Sequence, residues 1–146
     1  MAETPPAPSR IRVLPSWLLG RAAARGRGLV AEALARHDMK MWHHVVLSAV
    51  ADLGPVAQAE LGRTVALDPK DMVGILTDLQ AAGLVVRAPD PADRRKNAVS
   101  LTAAGWERLA ECTRAGERAN DELLAPLSAA EREQFLEMLR RVGGVG

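Results

Sequence analysis

The chain has 146 residues, which is the length of one ordinary domain and too short for two independent hydrophobic cores. Hydrophobic residues make up 48% of the sequence and aromatic residues 3%, with no tyrosine, so the composition favours aliphatic packed helices over an all-β sandwich. The net charge is only +1, which excludes a histone-like polycation, and the lack of any run of about 18 apolar residues excludes a membrane-spanning helix.

The N-terminal part of the sequence predicts an arm followed by one helix. Residues 1–14 are proline-rich and show no periodicity, which is typical of a flexible arm, and they lack the apolar stretch of a signal peptide. The single cysteine, Cys112, fits a reducing compartment, so we expect a cytoplasmic protein. A first helix is predicted from Ser16, as its N-cap, to about Arg36. Its apolar stripe comprises Leu18, Ala22, Leu29, Ala33 and Leu34.

Three further helices are predicted next along the chain. The second ends at Gly54-Pro55, and its apolar stripe comprises Trp42, Val45, Val46, Ala49, Val50 and Leu53. A short helix follows over about residues 57–64, with Leu61 facing inward. Asp68 is then the expected N-cap of a helix that has Pro69 at its first position and closes at Ala82-Gly83. The buried face of this helix is predicted to be Met72, Ile75, Leu76 and Leu79.

The C-terminal part predicts a β-hairpin and two helices. Leu84–Arg87 and Asn97–Leu101 have the composition of short strands, and the loop between them, residues 88–96, is charged. A long helix is predicted over about residues 102–125, ended by Pro126. A capping box of the Ser-x-x-Glu type, beginning at Ser128, opens the last helix. The inner face of that helix is predicted to be Phe135, Leu139 and Val142.

The order of these elements indicates a fold. Three helices followed by a two-stranded hairpin are typical of a winged helix-turn-helix, mostly α with a small β-hairpin wing, in which the last of the three helices enters the major groove. We expect this DNA-binding lobe to span residues 40–105. The flanking helical regions, residues 15–38 and 106–146, would bury their apolar faces best against a second copy, which predicts a homodimer.

Two motifs carry a family resemblance. Asp90–Arg95 fits the pattern D-x-x-D-R-R, and Leu101–Gly105 fits L-T-x-x-G; together they resemble the wing signature of MarR-family transcriptional regulators. Residues 58–85 and 127–132 are also similar to that family, and the resemblance covers about residues 15–142. It implies a homodimeric winged-helix protein, usually a repressor, that binds a palindromic operator on double-stranded DNA and is released by a small molecule.

The resemblance also assigns DNA contacts, with one departure from the family. Arg94 matches the arginine of the wing, and Asp93 is expected to orient it. The recognition helix has Val73 and Gly74 where the family often has Ser and Arg, and its predicted exposed face offers no Arg, Asn or Gln to read bases. We therefore expect binding to depend on the wing and on DNA shape. The candidate DNA-binding residues are Arg63, Thr64, Pro69, Lys70, Asp71, Val73, Thr77, Asp93, Arg94, Arg95 and Lys96.

The family resemblance further implies an effector site where the first, second and fifth helices meet the DNA-binding lobe. The residues at matching places are Trp17, His43, His44 and Cys112. Both histidines lie off the predicted apolar stripe of their helix, so they face a cavity, the dimer seam or solvent. A pocket with tryptophan and imidazole would suit a lipophilic or aromatic anion.

Other functions fit the sequence less well than DNA binding. The sequence has no Gly-rich phosphate loop, Gly-x-Ser-x-Gly elbow or His-Glu-x-x-His motif, so neither an enzyme nor a cofactor is expected. The histidines match no strong zinc spacing, and redox sensing would need an accessible thiol, whereas Cys112 falls on a packed repeat. The remaining alternative is a winged-helix protein-interaction scaffold with weak or no specific DNA binding, which weak salt dependence would reveal.

Overall fold

The structure, a computed structural model, describes residues 6–146. Seven helices and three strands occur in this part of the chain, in the order α1 (Ser9–Arg12), α2 (Pro15–Ala35), α3 (Met41–Leu53), β1 (Val56–Ala57), α4 (Gln58–Val65), α5 (Pro69–Ala81), β2 (Val85–Pro89), β3 (Asn97–Leu101), α6 (Ala103–Leu123) and α7 (Ala129–Gly143). The predicted fold class is confirmed. Of the helices described, none is long and apolar enough to cross a membrane.

The chain divides into two compact units. The terminal unit comprises the described residues up to Val30 together with Arg118–Gly146, and the central unit comprises Ala31–Glu117. The central unit contains the helices α3, α4 and α5 and all three strands. The predicted arm lies partly outside the described residues; its residues 9–12 form the single exposed turn α1.

The central unit contains a three-stranded antiparallel sheet in the order β1-β3-β2. The sequence predicts only the hairpin of β2 and β3; it misses β1, whose Val56 pairs with Val99, because two residues are too short to show alternation. The hairpin loop is also shorter than predicted, since Ala88 and Pro89 continue β2 and pair with β3. The wing tip is therefore limited to residues 90–96.

The packed face of α3 differs from the predicted stripe. Val46, Leu47 and Val50 are buried, whereas Trp42 is 48% exposed and Leu53 is also exposed. Residues 46, 47 and 50 follow the spacing of a helical face that is rotated away from Trp42, because each residue turns the helix by about 100°. The predictions for Trp42 and Leu53 as core residues are therefore wrong, and Leu47 was missed.

The helix-turn-helix itself forms as the sequence predicts. Leu61 of α4 is fully buried, and the buried face of α5 is Met72, Leu76 and Leu79, with Ile75 partly exposed. These side chains hold α4 and α5 against α3. The helical spacing of large aliphatic residues in α4 and α5 leaves one way to bury them all, which is why periodicity locates both helices.

The terminal unit is built from α1, most of α2, the end of α6 and α7. Helix α2 begins at Pro15, which suits the first helical position, so Ser16 lies within the first turn and is not the N-cap. A Cβ atom on Gly26 would lie 3.1 Å from Leu123 Cδ2, so the glycine permits close packing of α2 on α6 within this unit. The capping box of α7 is confirmed, but Val142, predicted to face inward, is 70% exposed.

Candidate nucleic-acid interface

Helix α5 is fixed at both ends by local interactions. The Asp68 carboxylate accepts a hydrogen bond from the backbone N–H of Lys70 at 2.8 Å, with Pro69 at the first helical position, as predicted. After α5, Gly83 adopts a φ of 74°, a conformation that glycine tolerates, and the chain turns into β2. The helix therefore has a defined start, which is the end that recognition helices present to bases.

The outer face of α5 carries few groups that read bases. Lys70, Gly74 and Thr77 share this face, and the Thr77 hydroxyl donates to the carbonyl of Val73 at 2.7 Å. Val73 itself is 48% exposed. Asp71 and Asp78 are seven residues apart, almost two full turns, so they share one flank of the helix rather than its outermost line. The outer line therefore has a single cation and no formal negative charge.

The wing tip is ordered by its two aspartates. Asp90 Oδ1 accepts from the N–H of Ala92 at 2.8 Å, and the N–H of Asp90 donates to the carbonyl of Lys96 at 2.8 Å. Asp93 Oδ1 accepts from both the backbone N–H and the Nε of Arg95, at 3.1 and 3.2 Å. These two bonds hold the pKa of the Asp93 carboxyl below its ordinary value.

The pairing at the wing corrects one prediction. The sequence predicts that Asp93 orients Arg94, whereas in the structure it holds Arg95. The reason is geometric, since the Asx turn at Asp93 brings the N–H and side chain two residues onward back to its carboxylate. Arg94 is exposed and has no hydrogen-bond partner within residues 6–146. The Arg94 side chain is therefore free of hydrogen bonds to the described residues and can enter a DNA groove.

The L-T-x-x-G motif joins the wing to α6. The Thr102 hydroxyl donates to the Gly83 carbonyl at 2.6 Å and accepts from the N–H of Gly105 at 3.0 Å. A Cβ atom on Gly105 would collide with the carbonyl oxygen of Leu84. The motif therefore fixes the turn after α5 and the start of α6 to each other, which holds the base of the wing in place.

One cleft between α4 and the wing has both acidic and basic residues in its walls, namely Glu60, Arg63, Asp90, Asp93 and Lys96. This cleft of about 530 Å³ is lined by residues from the start of α4 and from the wing, among them Arg63, Asp93 and Lys96. A second, mostly apolar cleft of about 610 Å³ lies between α4, which contributes Arg63, and α5, which contributes Pro69. Thr64, also predicted to contact DNA, donates its hydroxyl to the carbonyl of Glu60 at 3.0 Å.

Arg87 is a candidate site residue that is not among those predicted from the sequence. This arginine lies on β2 opposite Val99, and its Nε and Nη2 atoms are buried with no hydrogen-bond partner among the described residues. The residue as a whole is partly exposed, so an external anion that reaches this side chain could satisfy the unpaired nitrogens. The signal in the sequence was a charged residue within an otherwise apolar strand, Leu84–Arg87.

The four predicted effector residues have different environments. Cys112 is fully buried, and burial raises the pKa of its thiol. His44 is partly buried, burial lowers its pKa, and its Nε2 atom is buried without a partner among the described residues. Trp17, which is partly exposed, lies in the terminal unit. Within residues 6–146, no group of three or more His, Cys, Asp or Glu side chains is arranged to hold a metal ion.

His43 lies on the packed face of α3, contrary to the prediction that it lies off that face. Its side chain is 14% exposed, and its Nε2 atom lies 3.0 Å from Asp78 Oδ2. The rotation of the packed face described above explains the difference, since residue 43 precedes Val46 and Val50 by about one and two turns. The imidazole thus links α3 to α5.

The chain is similar in sequence and fold to known DNA-binding regulators. The family model of the MarR family matches residues 37–96. The HTH-type transcriptional repressor NicR of Pseudomonas putida is 33% identical over 125 residues, which are 86% of this chain and 79% of NicR.

Two solved structures extend this similarity. The MarR family protein Rv2887 of Mycobacterium tuberculosis, in complex with DNA, is 27% identical with a TM-score of 0.76, covering 90% of this chain and 98% of that one. BpsR of Bordetella bronchiseptica, whose DNA binding is regulated by 6-hydroxynicotinic acid, is 26% identical with a TM-score of 0.75, covering 96% and 100% of the two chains.

Proposed function

The chain belongs to the MarR family and is a transcriptional regulator of that type, and from this premise we propose that it is a repressor that binds a palindromic operator as a homodimer and is released by a small aromatic anion. The observation that carries DNA binding is the pairing of a firmly capped α5, with Lys70 and Thr77 exposed, and a wing tip that presents Arg94. The repressor role is supported by the name of NicR.

Helix α5 and the wing are proposed to contact different grooves of the DNA. Helix α5 enters the major groove, where Lys70 donates to a base edge or a phosphate and the exposed Val73 side chain contacts a thymine methyl group. Arg94 enters the minor groove, which attracts arginine most strongly where it is narrow. Arg63, Arg95 and Lys96 neutralise phosphates. Since α5 presents so few base-reading groups, the wing supplies most of the affinity.

The homodimer is supported by an uncovered apolar groove in the terminal unit. The groove, of about 790 Å³, runs between α2 and α7, and its walls are Pro15, Leu18, Leu19, Ala22, Ala23, Phe135, Met138, Leu139 and Val142. Contiguous exposed apolar surface of this kind marks an interaction site. A second copy covers it most economically, because a two-fold axis buries the same surface on both protomers. To bind an operator with both halves, such a dimer has to present its two α5 helices about 34 Å apart, one turn of DNA.

The dimer is tested by sedimentation of the wild type and of Val142→Glu. A charge in the groove has to be buried in the dimer, so Val142→Glu is expected to sediment as a monomer at concentrations where the wild type is dimeric. Val86→Glu, the same change at an exposed valine of β2, is the matched control and stays dimeric. A monomeric wild type, or dimers in all three proteins, contradicts the proposed interface.

The effector site centres on His44. Its buried, unpartnered Nε2 atom is a polar group that an incoming carboxylate or ring hydroxyl would satisfy. The similarity to BpsR, which responds to 6-hydroxynicotinic acid, supports an aromatic carboxylate as the ligand class. Cys112, which lies in the same unit as His44, remains part of the proposal as a buried apolar wall, and Trp17 stays a prediction from the sequence.

The effector is tested with 6-hydroxynicotinic acid and benzoate as probes. Titration into the protein–DNA complex is expected to release the wild type, and His44→Phe, which keeps ring volume but removes the nitrogen, is expected to need at least about 10-fold more ligand, the loss typical of a buried polar contact. His37→Phe is the matched control and responds as the wild type. Equal responses of His44→Phe and wild type contradict the assignment.

The DNA-binding function is tested by selecting binding sites from random double-stranded DNA. The proposal predicts an enriched inverted repeat bound by two protomers. If no sequence is enriched, the chain fits better the alternative of a winged-helix scaffold that binds another protein.

A further inference from the structure

The neighbouring histidines of α3, His43 and His44, do not share one role. His44 leaves its Nε2 without a partner among the described residues, whereas both ring nitrogens of His43 lie within hydrogen-bond distance of protein groups. Lys40, just before α3, donates its backbone N–H to His43 Nδ1 at 3.3 Å. An imidazole nitrogen that accepts leaves the proton on the other nitrogen. His43 Nε2–H therefore donates to Asp78 Oδ2 at 3.0 Å.

This bond joins two different helices. His43 is 35 residues before Asp78 in sequence, and its side chain is only 14% exposed, so the ring is held by the packing of α3. Asp78 is 66% exposed on α5, and although its backbone carbonyl accepts from the C-cap residue Ala82, its carboxylate caps neither end of the helix. The bond thus runs from an immobilised ring to the recognition helix.

The bond also explains why an acidic residue, Asp78, can be present on a helix that faces DNA phosphates. Asp78 and Asp71 share one flank of α5, and the contact with His43 shows that this flank is turned toward α3. A carboxylate there accepts from α3 while Lys70 and Thr77 occupy the outer line of the helix. The acidic residues of α5 are therefore compatible with DNA binding.

We propose that His43 is a positioning residue that sets the orientation of α5 for operator binding through its hydrogen bond to Asp78. This inference rests on the proposed DNA binding. His43 itself does not touch DNA; it fixes the rotation of α5 about its own axis, on which the reach of Lys70 and Val73 into the groove depends. With both ring nitrogens engaged, His43 is not an effector ligand, and that role falls to His44.

The test separates the hydrogen bond from the charge of Asp78. Asp78→Asn removes the negative charge but keeps an oxygen that accepts from His43, whereas Asp78→Ala removes both. At equal charge, we expect Asp78→Ala to bind the selected operator about 3- to 10-fold more weakly than Asp78→Asn, the range for one net hydrogen bond. In a His43→Ala background, the difference between the two Asp78 variants is expected to vanish.

Rescue and a matched histidine complete the experiment. His43→Gln places an amide N–H near the position of Nε2, and we expect it to recover affinity that His43→Ala loses. His37→Ala removes another partly buried ring, one that lies 3.5 Å from Glu111, and is expected to leave affinity unchanged. Because Asp78 is exposed, its two variants are expected to fold, and their operator affinities can be compared even if His43→Ala fails to fold.

The outcomes are distinct. If Asp78→Ala and Asp78→Asn bind equally, or if the difference persists without His43, the positioning role is wrong. If His43→Ala and His37→Ala weaken binding alike, the effect is one of general stability and the inference is overturned. If the wild type binds no selected DNA, the proposed function itself fails, and the inference fails with it.

Discussion

The N-cap of α5 gives a prediction that connects stability with DNA binding. Asp68→Ala removes the 2.8 Å bond from the N–H of Lys70 and also a negative charge at the positive end of the helix. Removing the cap costs about 1 kcal/mol of unfolding free energy, and removing the charge adds about 0.5 kcal/mol. For a chain of this length, a decrease of that size lowers Tm by about 3–6 °C.

Asp68→Asn separates these two contributions. Asparagine caps helices about as well as aspartate, so it is expected to cost only the charge contribution, about 0.5 kcal/mol. Urea unfolding followed by circular dichroism at neutral pH and low salt measures both variants against the wild type. If the alanine and asparagine variants are destabilised by the same free energy, the carboxylate bond to Lys70 does not stabilise α5 and the reasoning is refuted.

The same pair of variants tests how α5 meets DNA. Both remove a negative charge near the phosphates, which is worth about 2-fold in affinity at low salt. Only alanine lets the first turn of α5 fray, so we expect Asp68→Asn to bind the selected operator more tightly than the wild type and Asp68→Ala to bind it more weakly than Asp68→Asn. Equal affinities of the two variants would show that the start of α5 does not approach DNA.

Three other predictions follow from the wing, the cysteine and the last helix. In anisotropy titrations, Arg94→Ala is expected to lower operator affinity more than Lys70→Ala does, and the reverse order contradicts wing-dominated binding. Cys112 is buried with a raised thiol pKa, so a disulfide reagent is expected to label it only on unfolding; prompt labelling of the native protein contradicts its burial. The hydrogen bonds with Ser128 hold the pKa of the Glu131 carboxyl below its ordinary value of 4.5. The ionised carboxylate therefore stabilises the fold above pH 4.5, and this stabilisation is lost as the pH falls through the lower folded pKa. Glu131→Gln is expected to lower the free energy of unfolding at pH 7, and the difference from the wild type is expected to vanish in acid.

The parts of the fold that depend on short-range chemistry could be predicted from the sequence. The Asp68-Pro69 start of α5, the capping box at Ser128 and the buried position of Leu61 all occur as predicted. Each of these follows from residues within one or two helical turns, so a local pattern contains the whole cause.

The parts that depend on long-range packing could not. Both Trp42 and His43 fit helical spacing, and only the contact with α5 determines that His43 is the one turned inward. Strand β1 exists because Val56 pairs with a residue 43 positions later in the chain, Val99. That Asp93 accepts a hydrogen bond from Arg95 rather than from Arg94 likewise depends on the turn geometry of the wing tip.

The salt dependence of operator binding tests the central claim, a dimeric regulator that holds DNA mainly through its wing. Fluorescence anisotropy on the selected operator, repeated over a series of salt concentrations, gives the slope of log K against log salt for the wild type and for Arg94→Ala. We expect a steep slope for the wild type and, in the mutant, weaker binding with a slope shallower by about 0.9 for each phosphate that is no longer neutralised. Binding that is indifferent to salt and to Arg94 would contradict this claim.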